Sequence, residues 1–93
     1  MSQTSHAKLV FPLKRNFSDT RKRIGESLLQ LEDVLQQRNV LLRNVSIDFK
    51  FLQGSDFFCY YVEFDAVAIF GNIDLNPIMK EAIKMLDNTI ITE

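Results

Sequence analysis

Two alternating runs flank Gly54-Ser55. Before it, Val45, Ile47, Phe49 and Phe51 alternate with Ser46, Asp48, Lys50 and Leu52. After it, Phe58, Tyr60, Val62 and Phe64 alternate with Phe57, Cys59, Tyr61, Glu63 and Asp65. A period of two is the mark of a strand with two unlike faces. Gly54-Ser55 suits a two-residue hairpin loop, with glycine at the first position of a type II′ turn. Folding the chain there pairs Phe51 with Phe58, Phe49 with Tyr60, Ile47 with Val62 and Val45 with Phe64. All four pairs are apolar, and a slip of one residue would break every one of them. The other face pairs Leu52 with Phe57, Lys50 with Cys59, Asp48 with Tyr61 and Ser46 with Glu63. It is half polar and half aromatic, which leaves room for a partner surface there.

The flanking segments supply the remaining elements. Leu9, Phe11 and Leu13 share one parity across residues 7–13, a first strand ending near Pro12, which has no N–H for a ladder bond. Ile24, Leu28, Leu31 and Leu35 recur at helical spacing, with Val34 widening the stripe. Asn16, Ser18 and Asp19 suit a helix cap, yet Gly25 weakens the first turn, so a regular helix is expected from Gly25 with 14–24 as a loop. Its end is expected near Arg38-Asn39, where asparagine accepts a left-handed conformation. Asn76-Pro77 reads as the cap and first residue of a second helix carrying Ile78, Ala82, Ile83, Met85 and Leu86. Thr89-Ile90-Ile91-Thr92 closes the chain as a short β-branched strand.

The order is βαββαβ, a ferredoxin-like α+β arrangement: an antiparallel sheet with two helices on one face and the other face open. The expected core is Leu9, Phe11, Ile24, Leu28, Leu31, Leu35, Val45, Ile47, Phe49, Tyr60, Val62, Phe64, Ile78, Ile83 and Leu86. With 93 residues the chain fits one domain, residues 8–93, preceded by a frayed tail over 1–7. A domain this small gains from self-association.

Chemistry is sparse. His6 is the only histidine and falls in the expected tail. Cys59 is the only cysteine, so no internal disulfide forms, and a reducing, cytoplasmic setting is expected. Glu63 and Asp65 share a strand face, but two carboxylates without loop support are a weak cation signal. Phosphate loops, zinc spacings and nucleophile elbows are missing, so neither an enzyme nor a cofactor is expected. No apolar run approaches the ~20 residues of a membrane span. The formal net charge is −1, and residues 55–65 carry no Lys or Arg. Both argue against nucleic acid as a partner. The basic cluster Lys14, Arg15, Arg21, Lys22 and Arg23 reads first as a solvated loop, with anion binding at the helix start as the alternative.

Lys8-Leu-Val-Phe-Pro-Leu-Lys14, Ile24-Gly25, the turn Asn39-Val40-Leu41-Leu42 and the aromatic strand Phe57–Asp65 together resemble the ACT domain of aromatic amino-acid hydroxylases and prephenate dehydratases. The resemblance implies a regulatory module that dimerises, or sits in a larger parent assembly, and binds an amino acid at the subunit seam. It places Gly25 at the ligand loop and Asn44 and Ser46 on the second strand of the site. The Glu-Ser-Arg-Pro stretch of the aromatic binders reads Ser46-Ile47-Asp48-Phe49 here. The alternative is a protein-interaction or assembly domain of the same fold without a small ligand.

Overall fold

The computed structural model describes residues 4–13, 17–51, 54, 58–70, 73–86 and 91–92. Strand β1 (Thr4–Pro12) leads to helix α1 (Phe17–Gln37), strands β2 (Val40–Phe51) and β3 (Phe58–Ala68), and helix α2 (Leu75–Lys84). The result is a small α+β fold in which β3 lies between β2 and β1, antiparallel to both. A two-residue segment, Ile91–Thr92 (β4), pairs antiparallel with β1 at Val10 and Leu9. The expected strand over Thr89-Ile90 lies outside the described residues.

The hairpin register follows the alternating pattern. Phe51 faces Phe58, Phe49 faces Tyr60 and Ile47 faces Val62, with Lys50–Cys59, Asp48–Tyr61 and Ser46–Glu63 on the other side. Gly54 holds φ at +81°, a positive value that suits glycine; the neighbours that would define the expected type II′ turn lie outside the described residues. Leu52, Phe57 and Ser55 lie outside the described residues. The fourth expected pair, Val45–Phe64, does not form as drawn. Between Arg43–Asp65 and Ser46–Glu63 the register shifts, so Asn44 and Val45 together oppose one residue. Asn44 takes φ of 55°, which makes this a bulge with its first residue left-handed, a conformation asparagine tolerates better than most side chains. The bulge restores pairing below it, and β2 continues back to Val40 rather than starting at Val45.

Helix α1 differs from expectation at its start. It begins at Phe17, not Gly25, and runs 21 residues. Thr20 and Ser27 are buried beside Ile24, Leu31 and Leu35, so the inward stripe is one turn longer than its aliphatic members show. Gly25 faces outward with open space around it. The far end behaves as read: Arg38 N–H and Asn39 N–H donate to Leu35 and Gln36 carbonyls at 3.0 Å each, and Asn39 turns left-handed at φ 58°. In α2 the cap is Asp74, whose Oδ1 accepts from the Asn76 N–H at 3.1 Å. Pro77 therefore stands third in the helix rather than first, still within the turn where its missing N–H leaves no gap.

Both helices close over one face of the sheet. Leu9, Phe11, Val62, Phe64, Ala66 and Ala68 pack there with Ile24, Leu31 and Leu35 of α1 and Leu75, Met79 and Ala82 of α2. Leu28, Tyr60, Ile78 and Ile83 are partly buried at its margin. Thr4–Ala7, expected as tail, extend β1 against Val67–Phe64. Val45, Ile47 and Phe49, expected in the core, are exposed. The helical layer stops short of the outer half of the hairpin, which projects as a two-stranded ribbon from a molecule 43 Å long and 23 Å by 20 Å across.

Candidate functional site

The ribbon carries an apolar face that none of the described helices covers. Alternation fixes which residues share that face: they are the continuation of the row that includes Val62 and Phe64 in the core. Ile47 is 53% exposed, Phe51 55%, Phe58 39% and Phe49 37%. The rings are ordered among themselves. Phe51 and Phe58 stack with centroids 3.8 Å apart, Phe49 and Phe58 at 4.8 Å with 14° between planes, and Phe49 tilts against Tyr60 at 4.9 Å. Taking ~200 Å² for each such side chain, these four expose roughly 400 Å² of apolar surface, at the level where exposed patches on a soluble domain mark contact sites.

The same ribbon has a free edge. Among the described residues β2 has β3 on one side and no strand on the other, and it is 12 residues long. Long flat edges invite pairing with another strand. The Phe49 N–H donates to Asp48 Oδ1 at 3.0 Å, so this edge donor is held by a side chain. Asp48 Oδ2 lies 3.9 Å from Lys50 Nζ, both side chains being largely in solvent.

The helix-free face of the sheet is organised differently. Val10, Cys59 and Tyr61 are buried there as a small second cluster. Lys8 and Lys50 lie over the Tyr61 ring at 4.7 and 4.6 Å from its centroid, their alkyl stems covering what their ammonium groups keep wet. Burial pushes the Cys59 thiol above its ordinary value, which makes it a poor nucleophile. Further down the face, His6 Nδ1 meets Asp65 Oδ1 at 2.8 Å and His6 Nε2 lies 3.4 Å from Glu63 Oε2. Lys8 Nζ is 3.8 Å from Glu63 Oε1. The second oxygen of Asp65 accepts from Asn44 Nδ2 at 2.9 Å. The hydrogen bond to Asp65 holds His6 above its usual pKa. Asn44 first, and His6 second, hold Asp65 below the usual carboxylate value. This chain of contacts ties β1, β3 and the β2 bulge together. No group of three or more His, Cys, Asp or Glu able to hold a metal ion occurs among the described residues.

The residues that the ACT resemblance singles out are divided by the sheet. Asn44 and Ser46 lie on β2, Asn44 bonded to Asp65 and Ser46 opposite Glu63, both on the helix-free side. Gly25 sits inside α1, in the layer over the opposite face. A surface cavity of about 570 Å³ beside α2 is lined by Pro77, Lys80, Glu81, Ile83 and Lys84 and includes none of the three. Of the basic cluster, Arg21, Lys22 and Arg23 belong to α1, while Lys14 and Arg15 lie outside the described residues. Sequence reasoning passed over Asp48 and Lys50. The signal available was their place on the edge of a strand whose neighbours were apolar. Comparison of the chain with family models, with curated proteins and with solved structures gives no match in any of the three.

Proposed function

We propose that this chain is a non-catalytic assembly module that works by joining to a protein surface through the outer half of its β2–β3 hairpin. The observation that carries this reading is the row Ile47, Phe49, Phe51 and Phe58, exposed yet mutually stacked on a strand pair with a free edge. Leaving such a face in water costs about 25 cal/mol per Å², and contact with protein recovers that for the part it buries. The sheet order β2-β3-β1-β4 supports a complete ferredoxin-like βαββαβ topology, with Ile91–Thr92 as its fourth strand. The separation of Gly25 from Asn44 and Ser46 gives amino-acid sensing no support, so assembly without a small ligand is the reading favoured between the two.

The test is the mass of the native chain by light scattering from low micromolar to near-millimolar concentration. The reading expects the mass to rise from one chain of 10.8 kDa to two, and Phe51→Asp to hold it at one. A single-chain mass throughout would overturn it.

A further inference from the structure

We infer that the partner on this surface is a second copy of the chain, joined β2 edge to β2 edge about a two-fold axis through Phe49. The inference rests on the assembly reading and names its occupant and register.

Two antiparallel edge strands related by a two-fold axis keep their helical layers on the same side of the joined sheet. The residues that meet across the seam then have numbers with a fixed even sum, so the register is set by which residue sits on the axis. With Asp48 on the axis the two Asp48 carboxylates would face each other. With Lys50 there, the two ammonium groups would. With Phe49 on the axis each Asp48 faces Lys50 of the partner subunit, twice over, on the helix-free face. On the other face Phe49 meets the partner's Phe49, and Ile47 meets the partner's Phe51. Opposite charges across strands stabilise and like charges destabilise, so only this register among those centred on residues 48–50 satisfies both charged side chains.

Three further observations agree with it. The Phe49 N–H, now bonded to Asp48 Oδ1, is a donor that the partner's carbonyl can take over, which frees Asp48 for the partner's Lys50. The present Asp48–Lys50 contact is long, at 3.9 Å, with side chains 71% and 51% exposed, so exchanging it loses little. The seam also ends where the backbone stops being flat: in this register Asn44, at φ 55°, comes level with the partner's Gly54, at φ 81°. Between those limits residues 47–51 can pair, with about six main-chain hydrogen bonds. The two exposed apolar faces then join into one strip between the helical layers, where Phe49 packs sideways on the partner's Phe49 and Ile47 on the partner's Phe51, so the seam buries the flanks of the strip and not its upper face.

Charge reversal tests the register. Asp48→Lys alone sets like charges together at both contacts, and so does Lys50→Asp. Each is expected to weaken self-association roughly tenfold or more. Mixing the two variants restores opposite charges at both contacts without restoring the contact within either chain. The mixture is therefore expected to form a mixed dimer as tightly as the native chain, read by native mass spectrometry, and the double variant Asp48→Lys/Lys50→Asp to dimerise with itself. If the native chain dimerises but the single variants do so equally well, or the mixture stays monomeric, the register is overturned while the assembly reading stands. A monomeric native chain overturns both. An independent variant, Phe49→Cys, is expected to cross-link two copies under mild oxidation while Leu41→Cys does not; the reverse pattern would also overturn the register.

Discussion

Replacing Gly25 by alanine examines where α1 begins. In this fold Gly25 lies eight residues inside a helix that starts at Phe17, and a Cβ built on it meets no atom within 4 Å. Nothing must move to accept the methyl group. The change therefore reports backbone freedom alone: glycine in a helix interior is about 0.5–1 kcal/mol less favourable than alanine. Gly25→Ala should raise stability by that amount. For a domain of this size 1 kcal/mol moves the midpoint of thermal unfolding by about 4–8 °C, so a rise of about 2–8 °C is expected. Urea unfolding followed by helical circular dichroism gives the free energy directly, and an unchanged slope shows that the native and denatured states keep their compactness. Gly25→Pro is the companion variant, expected to lose about 3 kcal/mol. An unchanged or lowered stability for Gly25→Ala would mean that Gly25 is not inside a helix and would return residues 14–24 to a loop with the helix starting at Gly25.

Other consequences follow from the core, the bulge and the polar chain. Phe64→Ala, at a fully buried ring, should cost about 3–5 kcal/mol in urea unfolding, while Phe51→Ala on the ribbon should cost the monomer well under half of that; equal losses would mean that the ribbon is part of the core. Asn44→Gly should lose only the bond to Asp65, because glycine accepts φ of 55°, whereas Asn44→Val, which loses the same bond, should cost at least about 1 kcal/mol more, and the opposite order would deny the bulge. His6 should titrate by NMR with a midpoint above about 6.5, falling back on Asp65→Asn. The sign follows from the two shifts. The raised His6 contributes stability below its ordinary value that fades as pH rises through the raised midpoint. The depressed Asp65 contributes above its ordinary value and fades as pH falls through the lowered one. The contact is therefore strongest in the acid-to-neutral window between them, and a His6 midpoint at or below the ordinary value would contradict it. The Cys59 thiol should react with an aromatic disulfide reagent only on unfolding; rapid reaction in the native state would contradict its burial.

The hairpin was legible because two independent signals agreed. Turn chemistry at Gly54 and matched parity on both strands leave one register, and Phe51–Phe58, Phe49–Tyr60 and Ile47–Val62 are paired in it. The bulge was not legible, since Asn44 has nothing in its neighbours to announce a left-handed backbone, and it displaced only the fourth pair. The first turns of α1 were hidden because Thr20 and Ser27 hold buried positions that a search for aliphatic spacing passes over. His6 read as a tail residue for want of apolar neighbours; Ser5 and His6 are held instead by ladder pairing with Ala66 and Asp65. The candidate site was half legible. Parity showed that Ile47, Phe49 and Phe51 share a face, but not that the helices end before reaching it. Coverage depends on helix length and placement, which local pattern does not encode.

In the proposed dimer two copies meet at the outer edge of β2, and residue-resolved amide exchange across a concentration series reads that seam residue by residue. Along an antiparallel edge every second N–H points outward, and in β2 these belong to Ile47, Phe49 and Phe51. Their exchange should be rapid in dilute solution and slow markedly as the dimer fills, while the amides of Asp48 and Lys50, turned toward β3, should change little. A dimer that forms with the Ile47, Phe49 and Phe51 amides still exchanging freely would contradict the claim.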